Sequence, residues 1–286
     1  MVYFFWGSTY LGIRIAVETG SGFPPMALGA MRTIVGGTLL LLWCLLRKNN
    51  LKLTGRETMH VAISGVLLWV GGNGLVNWVE QHADSGYSAL LVGALPIWMA
   101  VMEAILDRKR PTLPLVLGIL TGFVGLVILC FPVILHGNTN DWWAVIGLIL
   151  APLFWGAGSL IYQRNPTNLP PVATSAYQQL FGGIGFTLVS IFMNEPTIHP
   201  TPHAWLAWGY LVIAGSLFAF TAFLTALQLL PISLVATYAY VNPVIAVFLG
   251  WLLLGEQVTG YTFAGTALIM LGVFGVFRAK HNRIAH

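Results

Sequence analysis

Several polar side chains stand at helical spacing inside apolar runs. Trp6, Tyr10 and Arg14 lie at i, i+4 and i+8 of one run, on one side of a helix. Asn73, Asn77 and Gln81 repeat that spacing in a second run. Trp155, Ser159 and Gln163 repeat it in a third, with Tyr162 beside them. Tyr238 and Asn242 are four apart, directly before Pro243, and Trp98 stands next to Pro96. Polar stripes are disfavoured against lipid and should face the interior of a helix bundle. Aromatic walls carrying amides and hydroxyls form a cavity suited to an amphipathic small molecule, which is binding chemistry. The competing reading is interhelical hydrogen bonding, with tryptophans in interfacial belts. The belt fits Trp142, Trp143, Trp205 and Trp208 better, because they lie near span ends.

Two arginines fall inside apolar runs, Arg14 and Arg32. An arginine at the centre of a bilayer costs on the order of 2.5–3.5 kcal/mol on insertion scales. Both stand about two turns from the outer end of their helices, so they either snorkel to the surface or meet a substrate carboxylate. For Arg14 a pair with Glu18 is a further option. Bond-making chemistry has weaker support. The seven histidines lie at span ends, in loops or in the tail, so no His/Asp/Glu cluster forms at one membrane depth. Glu103 and Asp107 stand among Arg108 to Arg110 at a span end, and Glu80, His82 and Asp84 read as a solvated outer loop. The two cysteines, Cys44 and Cys130, both lie in apolar runs, which leaves no disulfide framework or metal cluster. No enzyme activity, cofactor or metal is expected.

These residues are positioned by a chain of 286 residues, 57% hydrophobic and 8% charged, against about 25% charged in soluble domains. Apolar runs of spanning length fall at 3–18, 25–47, 59–79, 84–106, 112–135, 141–163, 171–193, 203–229, 233–254 and 259–278. The expectation is an all-α polytopic membrane protein of ten transmembrane helices. The first run has no basic n-region or cleavage site and reads as a span. Eleven of the 13 lysines and arginines fall in the loops after even-numbered spans or in the tail. By the positive-inside rule those loops and both termini are cytoplasmic. The formal charge of +4 is confined to those loops, so nucleic acid is not an expected partner.

The chain also repeats itself. Pro24-Pro25-Met26-Ala27 answers Pro170-Pro171-Val172-Ala173, and Gly36-Gly37 answers Gly182-Gly183, at an offset of 146. Trp6-Gly7 answers Trp155-Gly156. Gln81, Pro96, Gly118 and Gly125 answer Gln228, Pro243, Gly265 and Gly272 at an offset of 147. Two halves follow, 1–135 and 141–286, with five spans each. An odd number of spans inverts the second half, a plan that places a transporter's substrate site near the midplane. Pro96 and Pro243 then become a pair of hinges, because a proline removes one helical hydrogen bond.

Trp6-Gly7-Ser8, the Pro-Pro-x-Ala entry, and Pro243 followed by Gly250, Leu254-Gly255-Glu256, Gly265 and Gly272 resemble the drug/metabolite transporter superfamily with two EamA-type repeats. The resemblance covers the whole chain and is greatest to bacterial exporters of amino acids and aromatic compounds of the YddG type. It implies ten helices around a central cavity, the fifth and tenth peripheral, and export by alternating access. The first repeat departs from the pattern by lacking the Gly-Glu ending.

The reading is a secondary transporter in the bacterial cytoplasmic (inner) membrane that exports amino acids and aromatic or amphipathic compounds. Its partners are the small-molecule substrate and the lipid bilayer. The cavity is expected from Trp6, Tyr10, Asn73, Asn77, Trp98, Trp155, Ser159, Tyr162, Tyr238 and Asn242, with Arg14 or Arg32 as a carboxylate contact. The alternatives are a nucleotide-sugar or phosphate-ester carrier of the same fold, which would want central cations, and an integral-membrane enzyme. Gly118 and Gly122 form a GxxxG that serves packing within the chain or a homodimer. No coupling ion is evident at the midplane.

Overall fold

A computed structural model describes residues 2–17, 20–81, 93, 95–129, 131, 142–242, 244–245, 252 and 259–284. Every regular element in it is helical. In chain order these are α1 (Val2–Val17), α2 (Pro25–Leu46) and α3 (Gly55–Val79). Next come α4 (Leu95–Asp107), α5 (Leu113–Leu129), α6 (Trp142–Arg164) and α7 (Pro171–Phe192). Then follow α8 (Pro202–Leu229), α9 beginning at Ile232–Val235, and α10 (Gly260–Ile284). Among the described residues, Pro25–Leu46, Gly55–Val79, Pro202–Leu229 and Gly260–Ala279 are long and apolar enough to cross a membrane. Their outer faces are apolar: Leu46, Met59, Leu206, Leu229 and Phe263 all stand exposed. The protein is an all-helical membrane protein.

α2 and α7 run side by side, and so do α5 and α10. α1 packs on α8, and α6 packs on α3. Without a hydrophobic drive between helices in lipid, association depends on close backbone approach, and glycine supplies it. A Cβ on Gly37 would lie 2.9 Å from the Ala176 carbonyl, and one on Gly182 would lie 2.6 Å from the Trp69 Cβ. At α5 and α10, a Cβ on Gly272 would overlap the backbone of Gly122, and one on Gly118 would lie 2.8 Å from the Val276 nitrogen. The Gly118–Gly122 face is therefore filled inside the chain, by α10 and by the Tyr240 ring.

The ends of the bundle are tied by hydrogen bonds between chain-distant loops. At one end Glu57 accepts from the Asn168 amide at 3.3 Å, and Tyr177 donates to the Leu51 carbonyl at 2.9 Å. That end also carries Arg47, Lys48 and Lys52, and is called the basic end below. At the opposite end the His199 and Thr201 amides donate to the Gly22 and Ser21 carbonyls at 3.1 and 2.9 Å. Met26 and Ala27, in the first turn of α2, have no intrahelical acceptor. They donate to the two oxygens of Glu195 at 2.9 and 2.8 Å. α2 and α7 also stop alike. Lys48 and Asn194, 146 apart, both hold positive φ (54° and 50°) just beyond the helix, the left-handed turn that ends many helices.

Two expectations change. α10 runs to Ile284 rather than 278. α3 and α8 are not uniform α-helices: Leu67–Gly74 and Leu211–Ala219 are π-helical turns. Pro96 lies in α4, and most of the run before Leu95 lies outside the described residues. Its partner Pro243, like Glu256, lies outside the described residues.

Gly272→Ala should lower the thermal unfolding midpoint in detergent, with a loss of about 1–3 kcal/mol from overpacking. Gly260→Ala, which meets nothing within 4 Å, should leave the midpoint in place. Equal midpoints for the two variants would contradict the backbone contact between α5 and α10.

Candidate functional site

A cavity lies in the centre of the bundle. α1 lines it with Trp6, Thr9, Tyr10 and Ile13, and α3 with Trp69, Gly72, Asn73 and Val76. Both sets follow i, i+3, i+4, i+7, a single helical stripe. α2 adds Arg32, α4 adds Leu95, α6 adds Ala151, Pro152 and Trp155, and α9 adds Tyr238 and Asn242. The expected residues Trp6, Tyr10, Asn73, Trp155, Tyr238, Asn242 and Arg32 thus come together. Asn77, Trp98, Ser159, Tyr162 and Arg14 are not among the lining residues. Two steps of four residues turn a side chain about 80° around a helix, which carries Arg14 off the stripe begun by Trp6. Asn77 is buried and donates to the Pro25 carbonyl at 3.3 Å. Ser159 donates back to the Trp155 carbonyl at 2.7 Å, and Tyr162 belongs to the apolar core.

Toward the basic end the cavity is stopped by rings. The Trp6 centroid lies 4.9 Å from Phe223, 4.8 Å from Tyr238 and 5.3 Å from Trp155. Phe223 is 5.7 Å from Trp155 and 5.8 Å from Tyr238. These separations and the mostly edge-to-face angles are those of attractive ring pairs. Three polar contacts back the seal. Tyr3 and Thr237 share a hydrogen bond of 2.8 Å between their hydroxyls. Gln163 donates to the Leu227 and Leu230 carbonyls, each at 3.0 Å. Arg164 pairs with Asp107. On α9 the chain tightens to i→i−3 bonds over Thr237, Ala239 and Tyr240. The Asn242 amide nitrogen then donates to the Tyr3 and Tyr238 carbonyls at 3.1 and 3.0 Å. Gly7 allows α1 this close to α9, since a Cβ there would lie 2.8 Å from the Ile245 Cβ.

The charged residue in the wall is Arg32. It is 3% exposed, so it does not snorkel. Its guanidinium lies 5.2 Å from the centre of the Trp69 ring, and its Nε donates to the Ser216 hydroxyl at 3.0 Å. Its Nη1 has no hydrogen-bond partner among the described residues. Both contacts come from π-helical turns, Trp69 in α3 and Ser216 in α8. Such turns recur at functional sites. The sequence reading missed them, although Gly71-Gly72-Asn73-Gly74 and Gly215-Ser216 break otherwise apolar runs there. It also passed over Pro152, a proline inside α6 that lines the cavity.

The sequence profile of the EamA-like transporter family matches residues 1–131 and again 142–278. This chain belongs to the EamA-like transporter family. The "Uncharacterized inner membrane transporter YedA" of Escherichia coli (strain K12) is 32% identical over 282 residues, 98% of this chain and 89% of that protein. The "Uncharacterized transporter YoaV" of Bacillus subtilis (strain 168) is 23% identical over 272 residues, covering 94% and 91%. A solved crystal structure superposes with a TM-score of 0.75 at 21% identity, covering 96% of each chain, a likeness of fold.

In this transporter an acidic residue, Glu80, stands at the end of α3, immediately beyond Val79. It was expected in a solvated cluster with His82 and Asp84, which lie outside the described residues. Instead Glu80 is 5% exposed, at the end of the part of α3 that packs mainly against α6. Burial pushes its carboxyl well above the usual carboxylate range, and the Arg14 charge pulls it back. Arg14 itself is exposed.

Phe223, fully buried at the centre of the ring cluster, gives a direct test of the seal. Phe223→Ala should cost about 3–5 kcal/mol in denaturant unfolding of the detergent-solubilised transporter. A loss below that of an exposed Phe263→Ala control would mean the cluster packs loosely.

Proposed function

We propose that this transporter exports small amphipathic metabolites, amino acids and aromatic compounds foremost, across the bacterial cytoplasmic membrane. The observation that carries this reading is Arg32. A buried guanidinium in the wall of an aromatic cavity, with Nη1 unpaired among the described residues, fits a substrate carboxylate. Trp6, Trp69 and Trp155 fit the apolar or aromatic remainder of such a molecule. A nucleotide-sugar or phosphate-ester substrate is less well served, since Arg32 is the sole cation among the lining residues.

Transport proceeds by alternating access between two inverted halves, 1–135 and 141–286. Two features support the inversion. The loop before α2 bonds the loop before α8 at one end of the bundle, while the loop before α7 bonds the start of α3 at the other. The helix pairs α1–α8 and α6–α3 also exchange under the repeat. With the basic end in the cytoplasm, the ring cluster lies between cavity and cytoplasm, and the described arrangement is closed inward.

Reconstituted into liposomes, the protein should carry labelled tryptophan faster than empty vesicles do. A charge-assisted hydrogen bond contributes about 1.5–3 kcal/mol. Arg32→Gln should therefore raise the half-saturating concentration of tryptophan by about tenfold or more. Tryptamine, which has no carboxylate, should be affected far less. Equal losses for both solutes would remove the carboxylate contact, and no carriage of any amino acid or aromatic solute would remove the substrate class.

A further inference from the structure

Glu80 continues the cavity stripe of α3, seven residues after Asn73 and four after Val76. It is buried, and neither of its carboxylate oxygens has a hydrogen-bond donor among the described residues. An ionised carboxylate in such a place is unfavourable, and an acid buried inside a transporter bundle is a functional position by default. Among the described residues, the charged and titratable groups around it are few. α1 presents Tyr10, which lines the cavity, and Arg14 one turn on; both interact electrostatically with Glu80. The first turn of α2 carries no titratable side chain, and its amides hold the Glu195 carboxylate. α6 has no titratable side chain from Trp142 to Trp155, and the π-helical turn of α3 has none.

We propose that Glu80 is the proton-binding group that couples export to the proton gradient. The proposal rests on the transport reading above. The end of the bundle away from the basic residues packs over Glu80 when the carboxyl is neutral. When that end opens with Glu80 already deprotonated toward the cytoplasm, water solvates the carboxylate and Arg14 balances its charge. After substrate leaves, a proton from outside binds Glu80 and allows the emptied carrier to close. When the cavity next opens to the cytoplasm, the proton leaves past Tyr10, the lining residue that interacts with Glu80. One O–H bond forms outside and the same bond breaks inside, so one proton enters for each substrate that leaves.

The test uses the full chain in liposomes with labelled tryptophan and an imposed pH gradient. One proton per substrate sets a limit of about tenfold accumulation for each pH unit of gradient. Wild type should accumulate tryptophan uphill. Glu80→Gln should lose all gradient-driven accumulation yet keep equilibrium exchange, which shows that it is folded and binds substrate. Glu80→Asp should keep gradient dependence. Uphill accumulation by Glu80→Gln equal to wild type, or none by a wild type that does exchange tryptophan, overturns the proposal. Infrared difference spectra of the purified chain give a readout that needs no substrate. Wild type should show a protonated-carboxyl band at neutral pH that Glu80→Gln lacks. Absence of the band from wild type, or its survival in the variant, also overturns the proposal. Absence of any transport with the band present overturns the transport reading and leaves the proton site standing.

Discussion

The structure depends on helices meeting at backbone distance. Lipid tails are as apolar as leucine, so helices in a bilayer gain nothing simply by hiding apolar surface from one another. They gain contact energy by approaching closely, and the glycines at 36, 37, 118, 122, 182, 183 and 272 permit that approach. The α2–α7 contact has a direct consequence for the cavity. It brings Gln179 against Gly36 and lets Gln179 donate to the Ser216 carbonyl at 3.2 Å. Ser216 in turn holds Arg32. A cation that would be costly alone is thus lodged in a wall made by three helices from both repeats.

Duplication makes the two halves alike in backbone and unlike in charge. Arg32 and Gln178 are equivalent at the offset of 146. Arg32 reaches Ser216 and Trp69 and leaves Nη1 without a hydrogen-bond partner among the described residues, whereas Gln178 donates to Ser64 at 2.9 Å within a buried chain of bonds that ends on the Gly158 carbonyl. The same position therefore lines the cavity in one half and serves packing in the other. A single cation thus stands among the residues that line the cavity.

Much of this was legible in the sequence, because lipid forces spanning runs to be apolar and forces polar stripes inward. Trp6, Tyr10, Trp155, Tyr238 and Asn242 were found by that logic alone. What escaped it depends on geometry that a periodic pattern does not encode. The π-helical turns displace Trp69 and Ser216 from where an ideal 3.6-residue period puts them. Arg32 looked close enough to a helix end to reach the surface, but its direction is fixed by Trp69, which is distant in sequence. Glu80 sits in a stretch rich in polar residues, and only its burial at the end of α3 distinguishes it from a loop acid.

The clasp of Glu195 on the first turn of α2 bears on how the chain is made. Met26 and Ala27 receive their cap from a residue that the ribosome supplies some 170 positions later. At the other end Glu57, in the first half, accepts from Asn168, in the second. Each half thus supplies an acceptor for backbone amides of the other. The first half leaves the ribosome with amide groups still awaiting acceptors, so the unit that folds is the whole chain, and the repeat that is so plain in the sequence is not a module that stands by itself.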